Sequence, residues 1–587
     1  MQKNIFIIGF IVVLLVAVSL LTMYDFDKKE NVDLDDRARL LSYSYFVLDD
    51  YFSDYEKEFD MDLKLDSFDF DYHKLFITLI CDGNIRGCQS GSSSAKGFDR
   101  FFEDTKEATI ECIEDDRFGG ELEELEKEDV DIVFTFLFEK EKLKSNDYDY
   151  IKDNIELGIH GIEVEGEDGN SAYFKESVPI SHNYDLEYTL ERLCKKAGLS
   201  DDAWMDDSTS IYKYDTMSFI GDRENNIFDL YRYNILIDVD DITNDDVLES
   251  ISLGRNWFLN NIDTDTGLLE YKYYPSSDSY SSSNNDVRQI ASLWSMTEID
   301  VFFDNTDFEE LVNTTIDYYL SYKENIDNYS YLTIDGYSKL AYNAFMILVL
   351  VNTPYYENRD ILLSEFSQGI LSLQNDDGSY NTYFNSDRNS GVDFYPGEAM
   401  LALMKLYNYN GNSSYLESVK KAAPYYIDYW RSNKNSAFIP WHTQTYYFLY
   451  QETKDYDLVD FVFEMNDWVI NYYQNKTGKY PDKIGGFPKS VPRYSTSSYL
   501  EGINDAYSLA VQVNADEKIA EYKESIRLGT RFILQTQFNE KNIFYLENPK
   551  RAIGGFKESL VSNDLRNDYT QHAVMALIKT YNNDIFD

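Results

Sequence analysis

The sequence has few cysteines and few basic residues, and each shortage excludes a class of function. Its four cysteines, at positions 81, 88, 112 and 194 of 587, are too sparse for a disulfide scaffold and lack the spacing of a zinc site. Lys and Arg number 53 against 105 Asp and Glu, which gives a formal net charge of −52. Such a charge repels phosphate backbones, so we expect no nucleic-acid partner. We expect the acidic residues to form a solvated protein surface.

One long uncharged run stands at the N-terminus. Ile5 to Met23, "IFIIGFIVVLLVAVSLLTM", has about the length needed to cross a bilayer. No Ala-x-Ala-like site follows it, which favours an uncleaved signal anchor. More Lys and Arg follow the run than precede it, which favours a cytoplasmic location for the remainder. Four Asn-x-Ser/Thr sequons favour the opposite side. We expect a single-pass membrane glycoprotein with its remainder outside the cytoplasm. The sequons are at Asn313, Asn328, Asn412 and Asn475.

From about Ser42 to Asp222 the pattern alternates between strands and helices. "HKLFITLI" at 73–80 and "VDIVFTFLF" at 130–138 are β-rich runs bounded by charged or Gly-containing stretches. "GIEVEGEDGNSAYF" indicates two short strands around a Gly-rich turn. "DLEYTLERLCKKAGL" indicates a helix that ends at Gly198. These patterns predict a mixed α/β domain.

Several motifs of this region occur in a diagnostic order. "GNIRGCQSG" at 83–91 is followed by "ATIECIEDDRFGGELEELEKEDVDIVFTFLF", "GIHGIEVEGEDG" and "LCKKAGLSDDAW". In this order they resemble the AMMECR family from about Leu75 to Phe219. The resemblance implies a compact α/β domain whose biochemical activity is not established. Where the family has Leu-Arg-Gly-Cys-Ile-Gly, this sequence has Ile-Arg-Gly-Cys-Gln-Ser, so its last two positions depart from the pattern.

The motif residues Arg86, Gly87 and Cys88 admit two interpretations. A guanidinium beside a thiol lowers the pKa of the thiol and favours the nucleophilic thiolate. Alternatively, Gly87 and Cys88 form a tight turn in which Cys88 packs as a small apolar residue. We favour the structural interpretation. The histidines of this region show no ligand-like spacing and receive no role.

From about Asn244 to the end, apolar helices alternate with loops rich in Tyr, Ser, Asn and Gly. "EAMLALMKLY" at 398–407 aligns without gaps with "HAVMALIKTY" at 572–581, which is an internal repeat. Six such helices with polar N-terminal heads are predicted to begin near residues 286, 335, 396, 441, 498 and 567. More amphipathic stretches lie between them. Six buried helices that alternate with six half-buried ones predict an (α/α)6 toroid.

The loops carry a second resemblance. "QNDDGSY" at 374–380 resembles a turn of squalene-cyclase-like toroids, and "GGF" recurs at 485–487 and 554–556. That superfamily includes terpene cyclases, many glycoside hydrolases and lyases, and the toroidal domain of glucuronyl epimerases. The resemblance implies an architecture, and fold alone does not assign a function.

The expected organisation is therefore multidomain. A transmembrane signal anchor, an acidic linker, an AMMECR-like α/β domain, a second linker and an all-α toroid follow one another. Their expected bounds are 1–24, 25–41, 42–222, 223–243 and 244–587.

Polar residues on the heads of the inner helices are expected to meet at one end of the ring. Glycoside chemistry requires a carboxylic acid and a second carboxylate. Glu501 and Asp568, with Glu398 in reserve, are the candidates for these roles. In a lyase or epimerase, an imidazole could remove the proton next to a carboxylate, so His442 and His572 are candidate bases.

Other head residues are candidates for substrate binding. Arg288 suits a uronate carboxylate, which it could bind through two hydrogen bonds. Aromatic side chains would stack on sugar faces. The remaining binding candidates are Asp286, Asp505, Gln571, Trp441 and Tyr499.

The resulting hypothesis is a membrane-anchored enzyme that acts on a surface glycan or polysaccharide as a hydrolase, lyase or epimerase. Each head residue also has an ordinary explanation as a helix cap or an internal ion pair. A non-catalytic scaffold that binds a glycan or a protein is the main alternative. Terpene cyclisation is less favoured, because "DVDD" at 238–241 precedes the first inner helix. His442 and His572 with a carboxylate are an alternative set of metal ligands, but no spacing requires a metal, and we expect no metal and no cofactor.

Overall fold

The computed structural model describes residues 34–53, 72–95 and 98–587. The predicted membrane anchor at 5–23 lies outside the described residues and stays a prediction. Among the helices of the described part, none is both long and apolar enough to cross a membrane.

The chain forms two compact units. The first contains the described residues up to Ser177 together with Leu186–Tyr233. The second contains Val178–Asp185 and Asn234–Asp587.

The first unit is built around an antiparallel sheet with the strand order β2-β1-β3-β6-β4-β5. Strand β6 is long: its first half pairs with β4, and its second half pairs with β7. This arrangement curls the sheet. Its strands are β1 (Lys74–Cys81), β2 (Asn84–Ser90), β3 (Val130–Lys142), β4 (His160–Glu165), β5 (Ser171–Phe174), β6 (Ser210–Gly221) and β7 (Ile227–Leu230).

Helices cover this sheet because the central strands are apolar on both faces. Every residue of β1 after Lys74 is buried, and so is most of β3 up to Phe138. Helix α2 packs on β1, β2 and α1. Gly87 permits this approach, since a Cβ atom there would lie 2.1 Å from the carbonyl oxygen of Cys112. The helices of this unit are α1 (Leu34–Tyr51), α2 (Phe98–Ile113), α3 (Tyr148–Asn154) and α5 (Leu186–Lys196). Helix α4 (Ser177–Ser181) belongs to the second unit except for its first residue.

The strands and the helix predicted here are present, but the unit extends beyond the expected bounds. Helix α1 begins at Leu34, within the stretch expected to be an acidic linker, because Leu40, Leu41 and Leu48 bury one of its faces in the core. Strand β7 falls within the second expected linker and pairs with β6. Because these two stretches are acidic, the sequence predicted linkers where helix α1 and strand β7 are present.

The second unit contains a closed ring of six inner helices. Each inner helix packs against the next, and the last, α18, packs back against the first, α7. The inner helices are α7 (Asp286–Phe303), α9 (Leu340–Val351), α11 (Tyr395–Asn410), α13 (Ile439–Thr453), α15 (Ser495–Val513) and α18 (Asn567–Asn582).

An outer layer of helices packs on this ring. Outer helix α6 packs on α18, and each of the others packs on the inner helix that precedes or follows it. The unit thus resembles an α/α toroid. The outer helices are α6 (Asn244–Asn260), α8 (Glu309–Leu320), α10 (Arg359–Ser372), α12 (Ser413–Ser432), α14 (Tyr456–Tyr473) and α16 (Asp516–Thr536), and a short α17 (Pro549–Ala552) precedes α18.

Inner helices are apolar around their whole circumference because both the ring and the outer layer cover them. In α9 every residue from Leu340 to Leu350 is buried. The predicted start of this helix near Asp335 is wrong: Ile334 and Tyr337 form a bridged turn with Gly336 in the left-handed region, and the helix begins at Leu340.

Short strands join the helices at one end, although little strand structure was expected there. A four-stranded sheet has the order β12-β13-β8-β9, and β10 pairs with β11. Strand β13 leads directly into α18, which fixes the backbone of Arg566 beside the first turn of that helix. The strands are β8 (Lys272–Tyr274), β9 (Ser279–Tyr280), β10 (Lys323–Ile326), β11 (Tyr329–Leu332), β12 (Lys557–Ser559) and β13 (Ser562–Arg566).

The repeated "GGF" motif is explained by close approach of its first glycine to an outer helix. Gly485 and Gly554 have φ angles of +87° and +86°. A Cβ atom would lie 1.8 Å from the carbonyl oxygen of Leu528 on α16 in the first case, and 2.0 Å from that of Leu253 on α6 in the second. The motif therefore packs an inner-helix connection against the outer layer.

We predict that Gly554→Ala destabilises the second unit by about 3 kcal/mol, because it adds left-handed backbone strain to a backbone clash. Gly411→Ala is the matched control: its φ is +72°, but no atom lies within 4 Å of the added Cβ. It should cost about 1 kcal/mol. Thermal unfolding of the full chain measures both. Equal shifts in melting temperature would contradict the packing explanation.

Candidate functional site

A cavity of about 550 Å³ opens at the end of the ring where the inner helices begin. Residues in or beside the first turns of α7, α11, α13, α15 and α18 line it, together with Phe345 from α9. Helix heads that are distant in sequence therefore meet in one space. The candidate residues that line it are Arg288, Glu398, Trp441, Tyr499, Asp568, Gln571 and His572.

Four candidate residues do not line the cavity, and three of them are held by internal partners. Asp286 accepts hydrogen bonds from Asn284 and Tyr319. Asp505 pairs with Lys579 at 2.8 Å, and Glu501 lies behind His572. Their carboxylates are therefore unavailable for direct contact with a ligand in this cavity.

The predicted position of His442 in the cavity is wrong. Its side chain is fully buried, and its ring lies on that of Phe438 with centroids 3.4 Å apart. Its Nδ1 lies 3.1 Å from the hydroxyl of Tyr446. Burial holds the pKa of this imidazole well below 6.5. His442 is a neutral core residue.

Glu398 is a cavity-lining carboxyl that is only 4% exposed. Burial raises its pKa from 4.5 to about 8, and within the described structure its Oε2 has no hydrogen-bond partner. The group therefore carries a proton at neutral pH in most molecules. A protonated carboxyl at a cavity wall can act as a general acid.

His572 and Glu501 form a dyad between α18 and α15. Nδ1 of His572 lies 2.6 Å from Oε1 of Glu501, whose side chain is 1% exposed. With Glu501 ionised, Nδ1 carries the proton, because a carboxylate only accepts. No described residue makes a hydrogen bond with Nε2, and the imidazole lines the cavity. A histidine whose Nδ1 is fixed in this way presents Nε2 as a base.

Asp568 is held by two arginines. Arg288 Nε and Arg566 Nη2 each lie 2.9 Å from its Oδ2, and Arg566 Nε also donates to its Oδ1. Burial lowers the pKa of Arg566, but the bonds to Asp568 outweigh that effect and raise it overall. Both oxygens of Asp568 are engaged, so this carboxylate fixes the two arginines in place.

Aromatic side chains form much of the remaining wall. Trp441 lies with its ring centroid 6.0 Å from that of His572, and the Tyr499 hydroxyl donates to Ser436 at 2.7 Å. Tyr494 stacks on Tyr569 at 4.2 Å. Flat faces of this kind beside an acid and a base suit a sugar ring, which presents apolar C–H faces and polar edges.

Two arginines of this site were missed from the sequence. Arg493 lines the cavity and Arg566 binds Asp568. Each precedes an inner helix by one or two residues, at Ser495 and Asn567. A basic residue just before an apolar helix was the available signal. Within the described ranges, no group of three or more His, Cys, Asp or Glu residues could hold a metal ion.

The motif of the first unit lies in a strand and not in a turn. Gly87 and Cys88 belong to β2 and pair with Leu79 and Thr78 of β1, so the expected tight turn is wrong. Strand pairing faces Cys88 towards Thr78, whose hydroxyl donates to its sulfur at 3.4 Å.

In the alternative interpretation Arg86 would activate Cys88, but the Arg86 side chain has other partners. The Arg86 guanidinium binds Glu126 at 2.9 Å and the carbonyl of Phe118. Lys175, a buried residue, instead donates to the hydroxyl of Thr78 that contacts the thiol. This ammonium lies two hydrogen bonds from the sulfur.

The chain thus combines an α/β unit carrying a Cys88 motif strand with a helical ring carrying an acid–base cavity. The model of the AMMECR1 family matches residues 44–219. Protein MK0488 of Methanopyrus kandleri is 30% identical over 153 residues, which cover 25% of this chain and 70% of that protein. The chain belongs to the AMMECR1 family through its first unit.

The helical unit has distant likenesses among solved structures. The GH76 α-mannanase BT2949 of Bacteroides thetaiotaomicron is 11% identical, with a TM-score of 0.42 and coverage of 58% of this chain and 95% of that chain. A D-mannose isomerase is 13% identical, with a TM-score of 0.43 and coverage of 59% and 99%. The ring architecture rests on the helix packing described above.

We predict that Glu398 makes stability depend on pH. The folded state keeps a proton that the unfolded state loses above about pH 4.5, so stability falls as the pH rises from there to about 8. Each unit of this pKa difference corresponds to about 1.4 kcal/mol. Glu398→Gln should therefore melt increasingly above the wild type across this range. The control Glu417→Gln, on the exposed surface of α12, should show a nearly constant difference. A constant difference for Glu398→Gln would contradict the buried acid.

We predict that iodoacetamide modifies Cys88 before the other cysteines. Cys81, Cys112 and Cys194 are buried, and burial raises the pKa of each thiol, that of Cys194 to about 11. Peptide mass spectrometry at short reaction times measures the order of labelling. Faster labelling of any other cysteine in the folded protein would contradict this prediction.

Proposed function

We propose that the ring cavity is the active site of a carbohydrate-active enzyme, in which His572 is the base and Glu398 is the acid. The observation that carries the proposal is the 2.6 Å contact between His572 Nδ1 and the buried Glu501, which aims the other imidazole nitrogen at a cavity-lining position. Glu501 acts here as a positioning residue behind the base.

The two groups suit proton transfer at a sugar carbon. Nε2 of His572 takes the proton from a C–H next to a carbonyl or carboxylate, and the electron pair moves into that group. Return of a proton to carbon gives an isomer or epimer. Departure of an adjacent oxygen, protonated by Glu398, gives an unsaturated sugar and an alcohol. Both routes are redox-neutral and use one base and one acid.

Hydrolysis by two carboxylates is less well supported. That chemistry needs a second carboxylate free to act as a base or nucleophile opposite the acid. Glu501 is behind His572, and both oxygens of Asp568 are engaged by arginines. The imidazole of His572 is therefore the remaining candidate base in this cavity.

The size and wall of the cavity support a sugar ligand. A volume of about 550 Å³ falls within the usual range for small-molecule sites. Trp441 and Tyr499 line the cavity, and the Trp441 ring centroid lies 6.0 Å from that of His572. The AMMECR1 unit receives no activity in this proposal beyond the Cys88 reactivity predicted above.

The test is exchange of carbon-bound hydrogen in D2O. The full chain is incubated with a panel of neutral and acidic mono- and oligosaccharides, and proton NMR follows the C–H signals next to carbonyl and carboxylate groups. We expect one sugar class to lose such a signal. His572→Gln should slow this exchange by about 100-fold or more, the usual contribution of a general base.

The control is His73→Gln, which removes an imidazole from the first unit and should leave the exchange rate unchanged. Release of new reducing ends by His572→Gln at the wild-type rate would overturn the proposal in favour of carboxylate hydrolysis. Sugar binding without any exchange, elimination or cleavage would overturn it in favour of a non-catalytic scaffold.

A further inference from the structure

The cavity has an excess of positive charge in a strongly acidic protein. The chain carries 105 acidic and 53 basic residues. Among the residues that line the cavity, the guanidiniums of Arg288 and Arg493 stand against the carboxylate of Asp568, and burial raises the pKa of the Glu398 carboxyl to about 8. An excess that reverses the sign of the whole molecule indicates a site for an anionic ligand.

Arg493 is the arginine that is free to bind this ligand. Its backbone is fixed on both sides: its N–H donates to the carbonyl of Phe487 at 3.0 Å, and its carbonyl accepts from the N–H of Thr496 at 2.9 Å. Its side chain lines the cavity and forms no ion pair with any residue that the structure describes. This exposed guanidinium is therefore available to an anion that enters the cavity.

The other two arginines are already committed. Arg566 donates to both oxygens of Asp568. Arg288 contacts Asp568 and the hydroxyl of Tyr271. The carboxylate of Asp568 therefore neutralises the charge of one of these two guanidiniums. The positive charge of the other adds to that of Arg493 at the same cavity.

We infer that the substrate is an acidic sugar whose carboxylate binds Arg493 in the cavity that the base His572 also lines. This inference rests on the function proposed above and names its substrate class. A guanidinium can hold a carboxylate through two parallel hydrogen bonds. Removal of the neighbouring C–H proton by Nε2 places a second negative charge on that carboxylate, and the surplus guanidinium charge stabilises it. The proton is then returned to the same carbon, or the C–O bond on the neighbouring carbon breaks and Glu398 protonates the leaving oxygen.

The test compares matched pairs of sugars by calorimetry with the full chain. The pairs are oligosaccharides of glucuronate and glucose, galacturonate and galactose, and mannuronate and mannose. We expect the acidic member of at least one pair to bind about 10- to 100-fold more tightly than its neutral partner. Arg493→Gln should abolish this preference while leaving the melting temperature unchanged. Arg493→Lys should restore only part of it, because an ammonium lacks the planar fork.

Arg431→Gln is the control, since Arg431 pairs with Glu464 on the outer layer away from the cavity. It should keep the acidic preference. Equal or tighter binding of the neutral member in every pair that binds would overturn this inference and leave the proposed function intact. So would exchange in D2O confined to neutral sugars. Absence of both binding and exchange with every sugar would overturn the inference together with the proposed function.

Discussion

The second unit depends on the packing of its last helix, α18, against its first inner helix, α7. This contact closes the ring and joins parts of the chain that are far apart in sequence, Asn567–Asn582 and Asp286–Phe303. Closure brings Asp568 to Arg288. The His572–Glu501 dyad lies at the neighbouring contact of α18 with α15. Helix α18 thus contributes to both contacts, and the cavity depends on its place in the ring.

The interior of the ring carries polar groups that are costly to bury. Glu398, Glu501 and His442 each have an atom for which the described structure offers no hydrogen-bond partner. Such an atom costs about 1–3 kcal/mol. For Glu398, at the cavity wall, a bound sugar can supply the missing partner. Glu501 orients His572. Nothing in the structure explains the unpartnered Nε2 of His442, which lies in the core.

Sequence periodicity predicted the helices well because burial on all sides leaves a clear apolar pattern. The starts of α7, α11, α13 and α18 were placed within a few residues, and the alternation of inner and outer helices was recognised from the repeat at 398–407 and 572–581. Family motifs likewise identified the α/β unit. The predicted limits of this unit left out α1 and β7. Acidic residues on the solvent-exposed side of a helix or strand give it the composition of a linker.

The roles of individual head residues could not be predicted in the same way. His442 and His572 both follow the start of an apolar helix, the first at its fourth position and the second at its sixth. Successive helical residues are rotated by about 100°, so two positions change the face completely. One imidazole therefore enters the core and the other the cavity. Arg493 and Arg566 were missed because they precede the helices, where only the folded loops direct them inwards.

The central claim is that Glu501 fixes His572 as the Nδ1–H tautomer with Nε2 open to the cavity. Nitrogen-15 NMR of histidine-labelled protein tests this directly, and the chain contains only 5 histidines. The His572→Gln variant assigns the signal. The account predicts that the neutral imidazole carries its proton on Nδ1 and not on Nε2, with the tautomer preference lost in Glu501→Gln. A His572 that carries its proton on Nε2, or whose tautomer is unaffected by Glu501→Gln, would contradict the account.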